Sequence, residues 1–208
     1  MFFLLAPIWI NAFLYMTLGR MVYFFLPTRK SAGISACRYG LIFVTLDIIA
    51  FLVQLGGAAL TTGTNTPPKT VLLGLHIYMG GIGMQEFFIL WFLGLAIYLH
   101  RTMIWMEKSG QLDMVKLQRG RFSWRGLFYS MYLTLGMITI RIIFRISQYA
   151  QGTSPTNPVL THEWFEYVFD ASPMFLALLA LNIIPPGQNL QGPDLSFPKK
   201  RVELRRRS

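Results

Sequence analysis

Five stretches of mostly apolar residues alternate with shorter polar segments along the chain. A membrane-spanning helix needs about 20 such residues, because the hydrocarbon layer is about 30 Å thick and each residue rises about 1.5 Å. The pattern predicts spans over 2–26, 39–60, 71–99, 124–146 and 164–184. Backbone groups inside lipid must be satisfied within their own segment, so these spans are helices. The expected fold is therefore all-α, a polytopic transmembrane helix bundle occupying residues 1–187. Residues 188–208 carry no apolar periodicity and are expected to form a basic, disordered cytoplasmic tail. Turn chemistry agrees: Pro67-Pro68 precedes the third span, Pro155 and Pro158 lie before the fifth, and Pro185-Pro186-Gly187 closes it. A cleaved signal would show a basic start and a short apolar core. Here Pro7, Asn11 and Arg20 interrupt a longer stretch, which reads as a genuine span.

Charge orients the bundle. The segment 27–38 carries Arg29, Lys30 and Arg38 with no acid, and 100–123 and the tail are strongly basic. By contrast, 61–70 holds only Lys69, and 147–162 holds neither Lys nor Arg. Positive loops stay on the cytoplasmic side, so the N-terminus is expected outside and the C-terminus in the cytoplasm. The same placement changes the meaning of the net charge of +10. A nucleic-acid footprint would be a basic face on a soluble fold, whereas these residues lie between and after apolar runs. Nucleic acid is not an expected partner. With 53% hydrophobic and 13% charged residues, the chain also has too little polar surface for a water-soluble domain, which is about 25% charged.

Little chemistry of other kinds is visible. Cys37 is the lone cysteine, so no intrachain disulfide forms; its place before the second span would suit palmitoylation or an inert thiol. Asn65-Thr66-Pro67 and Asn157-Pro158-Val159 both fail the N-glycosylation pattern. His76, His162 and Asp170 could ligate zinc, but no His-x-x-x-His or comparable spacing occurs, and no metal is expected. No nucleophile–base pair, phosphate-cradling loop or nucleotide motif is present, so neither an enzyme nor a cofactor is expected.

The polar residues inside the spans carry the functional signal, since each costs a few kcal/mol unless it meets a partner or water. Arg141 and Arg145 are four apart in the outer half of the fourth span, and Gln148 continues their face. Glu163, Glu166 and Asp170 share a face of the fifth. At about 1.5 Å per residue, Asp170 lies near the depth of Arg141, and Glu163 and Glu166 match Arg145. The cluster reads either as a site for a zwitterionic or amine-bearing headgroup or as an ionic staple between helices. Asp47 and Gln54 point the same way from the second span. Arg20, at a depth comparable to Asp47, either pairs with it or snorkels to the interface. Glu86, beside Gln85 near the middle of the third span, matches no basic residue in depth. It is either a proton carrier or a carboxyl hydrogen-bonded to a neighbouring helix. Gly56-Gly57 and Gly80, Gly81 and Gly83 offer close helix approach.

Several strings then gain meaning by their order. Leu5-Ala6-Pro7 is followed by Tyr15 and Leu18-Gly19-Arg20, then Asp47, Phe51, Gln54 and Gly56-Gly57, then Gly81-Ile82-Gly83-Met84-Gln85. Arg141 and Arg145 follow, with Gln151-Gly152, His162-Glu163-Trp164, Tyr167 to Asp170, Asn182 and Pro186-Gly187. Together they resemble the fungal RTA-like lipid-translocating exporter family, named for resistance to an amino-sterol. The resemblance implies seven spans and an outside N-terminus, with export or flipping of sphingoid long-chain bases and resistance to toxic amphiphiles. Arg141, Arg145, Glu163 and Asp170 match the family's motif. Gln148 stands where the family commonly has an acid, and Pro185-Pro186-Gly187 where His-Pro-Gly is usual. The Leu-Ala-Pro string belongs to the family's third span, so the five spans correspond to the last five of seven.

The expected function is translocation or export of amphipathic lipids, along a pathway lined by Asp47, Gln54, Gln85, Glu86, Arg141, Arg145, Glu163 and Asp170. The alternative is a membrane receptor or stress sensor signalling through its cytoplasmic loops. The expected partners are membrane lipids and an amphipathic lipid substrate, with a homo-oligomer or a cytoplasmic partner left open. The plasma membrane is the expected location. With no ATP motif, flux would be downhill, proton-coupled or dependent on another protein.

Overall fold

A computed structural model describes residues 2–26, 30–31, 33–62, 67–110, 124–150 and 164–185. The basic loop at 111–123, the segment 151–163 with His162 and Glu163, and the tail at 188–208 lie outside the described residues. Five helices follow one another: α1 Phe2–Phe25, α2 Ala36–Thr61, α3 Pro68–Lys108, α4 Trp124–Ala150 and α5 Trp164–Ile183. All five are long and apolar enough to cross a membrane, and the protein is a multi-pass helical membrane protein. Two short elements were not anticipated by the hydropathy pattern. Lys30–Ser31 (β1) and Ile34–Ser35 (β2) form a two-residue antiparallel pair, turned by Gly33 at φ 78°. The Tyr39 hydroxyl donates to the Ser31 carbonyl at 2.7 Å and fixes this hairpin to the start of α2.

Four of the spans match expectation to within a few residues. The exception is α3, which continues to Lys108, nine residues past the apolar stretch. Its 41 residues amount to about 61 Å of helix, roughly twice the hydrocarbon thickness. Arg101, Glu107 and Lys108 end the hydropathy signal without ending the helix, because charged long-chain residues are good helix formers. The extension meets the start of α4. Arg125 pairs with Glu107 at 2.8 Å and lies over the Trp124 ring, and His100 stacks on Phe128 while its Nδ1 meets the Tyr132 hydroxyl at 2.9 Å.

Helices pack mainly on their neighbours in sequence: α1 on α2, α2 along α3, α3 on α4, and α4 on α5. Between lipid-exposed helices there is no hydrophobic driving force, so close backbone approach and interhelical hydrogen bonds hold the bundle. The approach is closest between α2 and α3. A Cβ on Gly57 would lie 2.5 Å from the Tyr78 backbone nitrogen, and one on Gly74 2.8 Å from the Gly57 carbonyl oxygen. Gly81 lies equally tight on Gln54. Gly56, Gly80 and Gly83, grouped with these on sequence grounds, have nothing within 4 Å. The difference is helical phase, since adjacent residues point about 100° apart. Where α1 joins the pair, Tyr15, Phe43 and Phe92 meet with centroids 4.6–5.4 Å apart. Ser130 and Thr134 of α4 donate to the Ala180 and Ala177 carbonyls of α5 at 3.0 and 3.5 Å.

These contacts separate the glycines experimentally. Gly57→Ala is expected to destabilise the protein by about 1–3 kcal/mol through backbone overlap. Gly80→Ala is expected to be neutral or to stabilise by about 0.4–1 kcal/mol, because it only restricts the unfolded chain. Thermal unfolding in detergent reads the difference, and equal melting temperatures would refute the close α2–α3 crossing.

Candidate functional site

Two of the three buried charged residues among those described, Arg141 and Asp170, lie where α4 meets α5. Arg141 and Arg145 project from one face of α4, and Asp170 of α5 accepts from both: its Oδ1 from Arg141 Nε, its Oδ2 from Arg145 Nη2. Arg141 and Asp170 are 5% and 6% exposed, so the three groups share a site with little access to the outside. The spacing of four, one helical turn, lets two long side chains converge on one carboxylate. Burial of this kind demands mutual neutralisation and hydrogen bonding, which two guanidinium forks and both carboxylate oxygens provide.

The local fold of α5 assists the pairing. Tyr167–Ala171 forms a single π turn, with ordinary α-helix on either side. Pro173 has no N–H to offer the Phe169 carbonyl, which breaks the regular ladder. Ser172 Oγ donates to the Tyr167 carbonyl at 2.9 Å, bridging the widened turn. A π turn of this sort re-aims the side chains beside it, and such turns recur at functional sites. Asp170 lies inside it.

The other members of the site differ in part from the depth-based expectation. Glu166 accepts from Gln148 Nε2 at 3.0 Å instead of meeting Arg145. Both guanidinium groups are taken by Asp170, and Gln148 lies one turn further along the same face of α4. Glu163 lies outside the described residues. Sequence reasoning missed Tyr78 of α3, whose phenol lies near Arg145, and Tyr149, whose ring packs edge-on against Tyr78 at 5.1 Å. An aromatic residue one helix away carries no sequence signal of such a role.

The remaining candidates are not gathered into this cluster. Asp47 accepts from Asn11 Nδ2 and the Tyr15 hydroxyl, both at 2.9 Å, which ties α2 to α1. Arg20, read either as its partner or as snorkelling to the interface, is exposed and makes no ion pair with it among the described residues, because Arg20 turns away from the packed face of α1 that carries Asn11 and Tyr15. Gln54 Nε2 donates to Gln85 Oε1 at 3.0 Å, which ties α2 to α3 beside Gly81. Glu86 is half-buried and lies near Thr139 of α4. His76 is exposed, and no group of three potential metal ligands occurs among the described residues.

A cleft of about 370 Å³ opens beside the ionic cluster, lined by Ile140, Ile143, Phe144, Ser147, Phe165 and Phe169. Phe144 and Phe169 stack at 5.5 Å across the helix pair. Phe144 adjoins Arg145 in sequence and Phe169 adjoins Asp170, so each helix presents a charge and an aromatic ring on adjacent faces.

The family described as RTA1-like protein matches residues 1–193. The chain is 59% identical over 198 residues to the probable lipid transporter atnI of Emericella nidulans, covering 95% of this chain and 52% of that protein. It is 26% identical over 226 residues to the sphingoid long-chain base transporter RSB1 of Saccharomyces cerevisiae, covering 93% of this chain and 56% of the relative. It is 29% identical over 191 residues to protein RTA1 of the same yeast, covering 91% and 55%. The chain thus spans about half the length of these relatives. No solved structure matches it. The match runs from the first residue through all five membrane helices and the α4–α5 charge cluster: the chain belongs to the RTA1-like family.

Proposed function

We propose that the protein translocates amphipathic lipids, sphingoid long-chain bases among them, and works as a carrier without catalysing a covalent reaction. The observation that carries this reading is the apposition on α4 and α5 of a buried charge cluster and an apolar, aromatic-lined cleft. An amphiphile has the same two parts in contact. Its head would exchange hydrogen bonds with the Arg141, Arg145 and Asp170 groups, with Glu166 and Gln148 one turn further out and Glu163 adding charge from the adjoining segment. Its chain would lie along Ile140, Ile143 and Phe144. The names of the relatives, a probable lipid transporter and a sphingoid base transporter, support the same substrate class. Asp47, Gln54, Gln85 and Glu86 would line or brace the route through the bundle. On this reading the protein resides in the plasma membrane, with the N-terminus outside and the basic loops and tail in the cytoplasm.

Three outcomes are expected. First, liposomes containing the purified chain should move a labelled long-chain base between leaflets faster than empty liposomes; no excess flux would sink the proposal. Filling the cleft with Ile143→Trp should lower that flux by on the order of tenfold, equivalent to about 1.4 kcal/mol, while leaving the melting temperature nearly unchanged because Ile143 faces outward.

Second, Asp170→Asn leaves two buried guanidinium groups facing a neutral amide. Loss of one partner of a buried ion pair costs about 3–5 kcal/mol in soluble proteins, and hydrogen-bond losses in membranes are smaller, about 1–2 kcal/mol. A fall in melting temperature together with loss of flux is expected. Glu166→Gln, at an exposed position, should lower the melting temperature far less, and equal losses for the two variants would contradict the burial difference.

Third, Cys37 is exposed at the start of α2, on the basic-loop end. A membrane-impermeant maleimide should label it in permeabilised cells and leave it unlabelled in intact ones. Labelling of intact cells would reverse the orientation.

A further inference from the structure

The Asp47 carboxylate is only 1% exposed, where α1 and α2 pack against α3. The three ion pairs among the described residues involve Arg125, Arg141 and Arg145, and none involves Asp47. Its Oδ2 is fully engaged, accepting from both Asn11 Nδ2 and the Tyr15 hydroxyl. Its Oδ1 has no hydrogen-bond partner, and neither has Oδ1 of Asn11, whose side chain is fully buried. Two acceptor oxygens on hydrogen-bonded neighbours therefore lie in the membrane interior with no donor. Two acceptors cannot satisfy each other, and a buried charge without a counter-charge is the costliest arrangement a bundle can hold.

The surroundings narrow what could satisfy them. Tyr15 of α1 is the titratable group that meets Asp47, and it already donates to Oδ2. From α2 and α3 the ring contacts with Tyr15 are made by Phe43 and Phe92, which carry no charge. Divalent ions of the calcium type gather six to eight oxygens, usually from several carboxylates. One carboxylate, one amide oxygen and a phenol match a single positive charge instead.

We propose that Asp47 and Asn11 form a binding site for an exchangeable monovalent cation, a proton or Na⁺, in the middle of the α1–α2–α3 unit. The site is separate from the α4–α5 cluster and does not depend on the identity of any lipid substrate. Occupancy would neutralise Asp47 and join α1 to α2 through both of its oxygens. An unoccupied site would leave a charged seam between the same helices.

Infrared difference spectroscopy of the purified full chain tests this, in a Glu86→Gln/Glu166→Gln background that removes the other carboxyls of the described membrane helices lacking an ion-pair partner. Acidification should add a protonated-carboxyl stretch that disappears in Asp47→Asn. Replacing N-methylglucamine with Na⁺ at fixed pH should suppress that band if both cations share the site, displacing its titration by about one pH unit per tenfold rise in Na⁺ above its Kd, as linkage requires. A band that titrates but ignores Na⁺ assigns the site to the proton alone. Asn11→Leu keeps Asp47 but removes both the amide oxygen and the Nδ2–H donor to Oδ2, so its Na⁺ effect is read against its own titration in N-methylglucamine and should weaken on the order of tenfold, the equivalent of about one lost charge-assisted contact; it also serves if Asp47→Asn fails to fold. Absence of any Asp47-dependent band across the pH range in which the protein stays folded, with no response to Na⁺, would overturn the proposal.

Discussion

A polar side chain inside hydrocarbon can meet its partner only on a neighbouring helix, and that constraint organises the whole molecule. Lipid offers no hydrogen bonds and no dielectric screening, so each buried Asp, Arg, Glu, Gln or Asn must be answered across a helix interface. Asn11 and Tyr15 answer Asp47 between α1 and α2, Gln85 answers Gln54 between α2 and α3, and Tyr132 answers His100 between α3 and α4. Asp170 answers two arginines between α4 and α5. Every pair of consecutive helices thus carries a polar tie. The ties also set helical phase, since a rotation of one residue, about 100°, would turn each donor away from its acceptor.

The spans were legible because the membrane imposes a length and a composition that nothing else in the sequence imitates. What hydropathy could not show is where a helix ends once it leaves lipid. The last turns of α3 are held by ordinary helix propensity and by contacts with Trp124, Arg125 and Phe128 of α4, which depend on tertiary structure. Glycine pairs were legible as a type of contact but not by position. Gly57 faces α3 and Gly56 does not, and only the crossing geometry of α2 on α3 decides between them.

The charge cluster was legible for a different reason: a spacing of four in α4 and a matching depth in α5 leave few alternatives for Arg141, Arg145 and Asp170. The details depended on the backbone. Depth arithmetic at a uniform rise paired Glu166 with Arg145, whereas Asp170 holds both arginines and Glu166 meets Gln148. The π turn at Tyr167–Ala171 breaks the uniform rise on which that arithmetic rests; Ser172 and Pro173 adjoin it, and a hydropathy pattern does not register them. Asn11, Tyr15, Tyr78 and Thr139 were harder to see. Uncharged polar and aromatic residues are common in spans, so a functional or bracing role is apparent only once a charged partner is found beside them.

These ties are not equally stiff, and the difference bears on how such a bundle could move. Between α2 and α3 the backbones touch at Gly57 and Gly74, and the ring cluster of Tyr15, Phe43 and Phe92 adds α1 to the same unit. At the other end α4 and α5 are joined by buried ionic hydrogen bonds and by the Ser130 and Thr134 hydroxyls on α5 carbonyls. The boundary between these two units is α3 against α4, where Gly136 meets nothing within 4 Å and side-chain contacts include Glu107 with Arg125, His100 with Tyr132 and Tyr78 with Tyr149. Side-chain contacts can exchange partners by rotamer changes on fast timescales, whereas interlocked backbones cannot. A carrier needs one interface that opens while others hold. On the carrier reading proposed above, α3–α4 is the candidate for that role, with Tyr78 and Tyr149 packed edge-on across it.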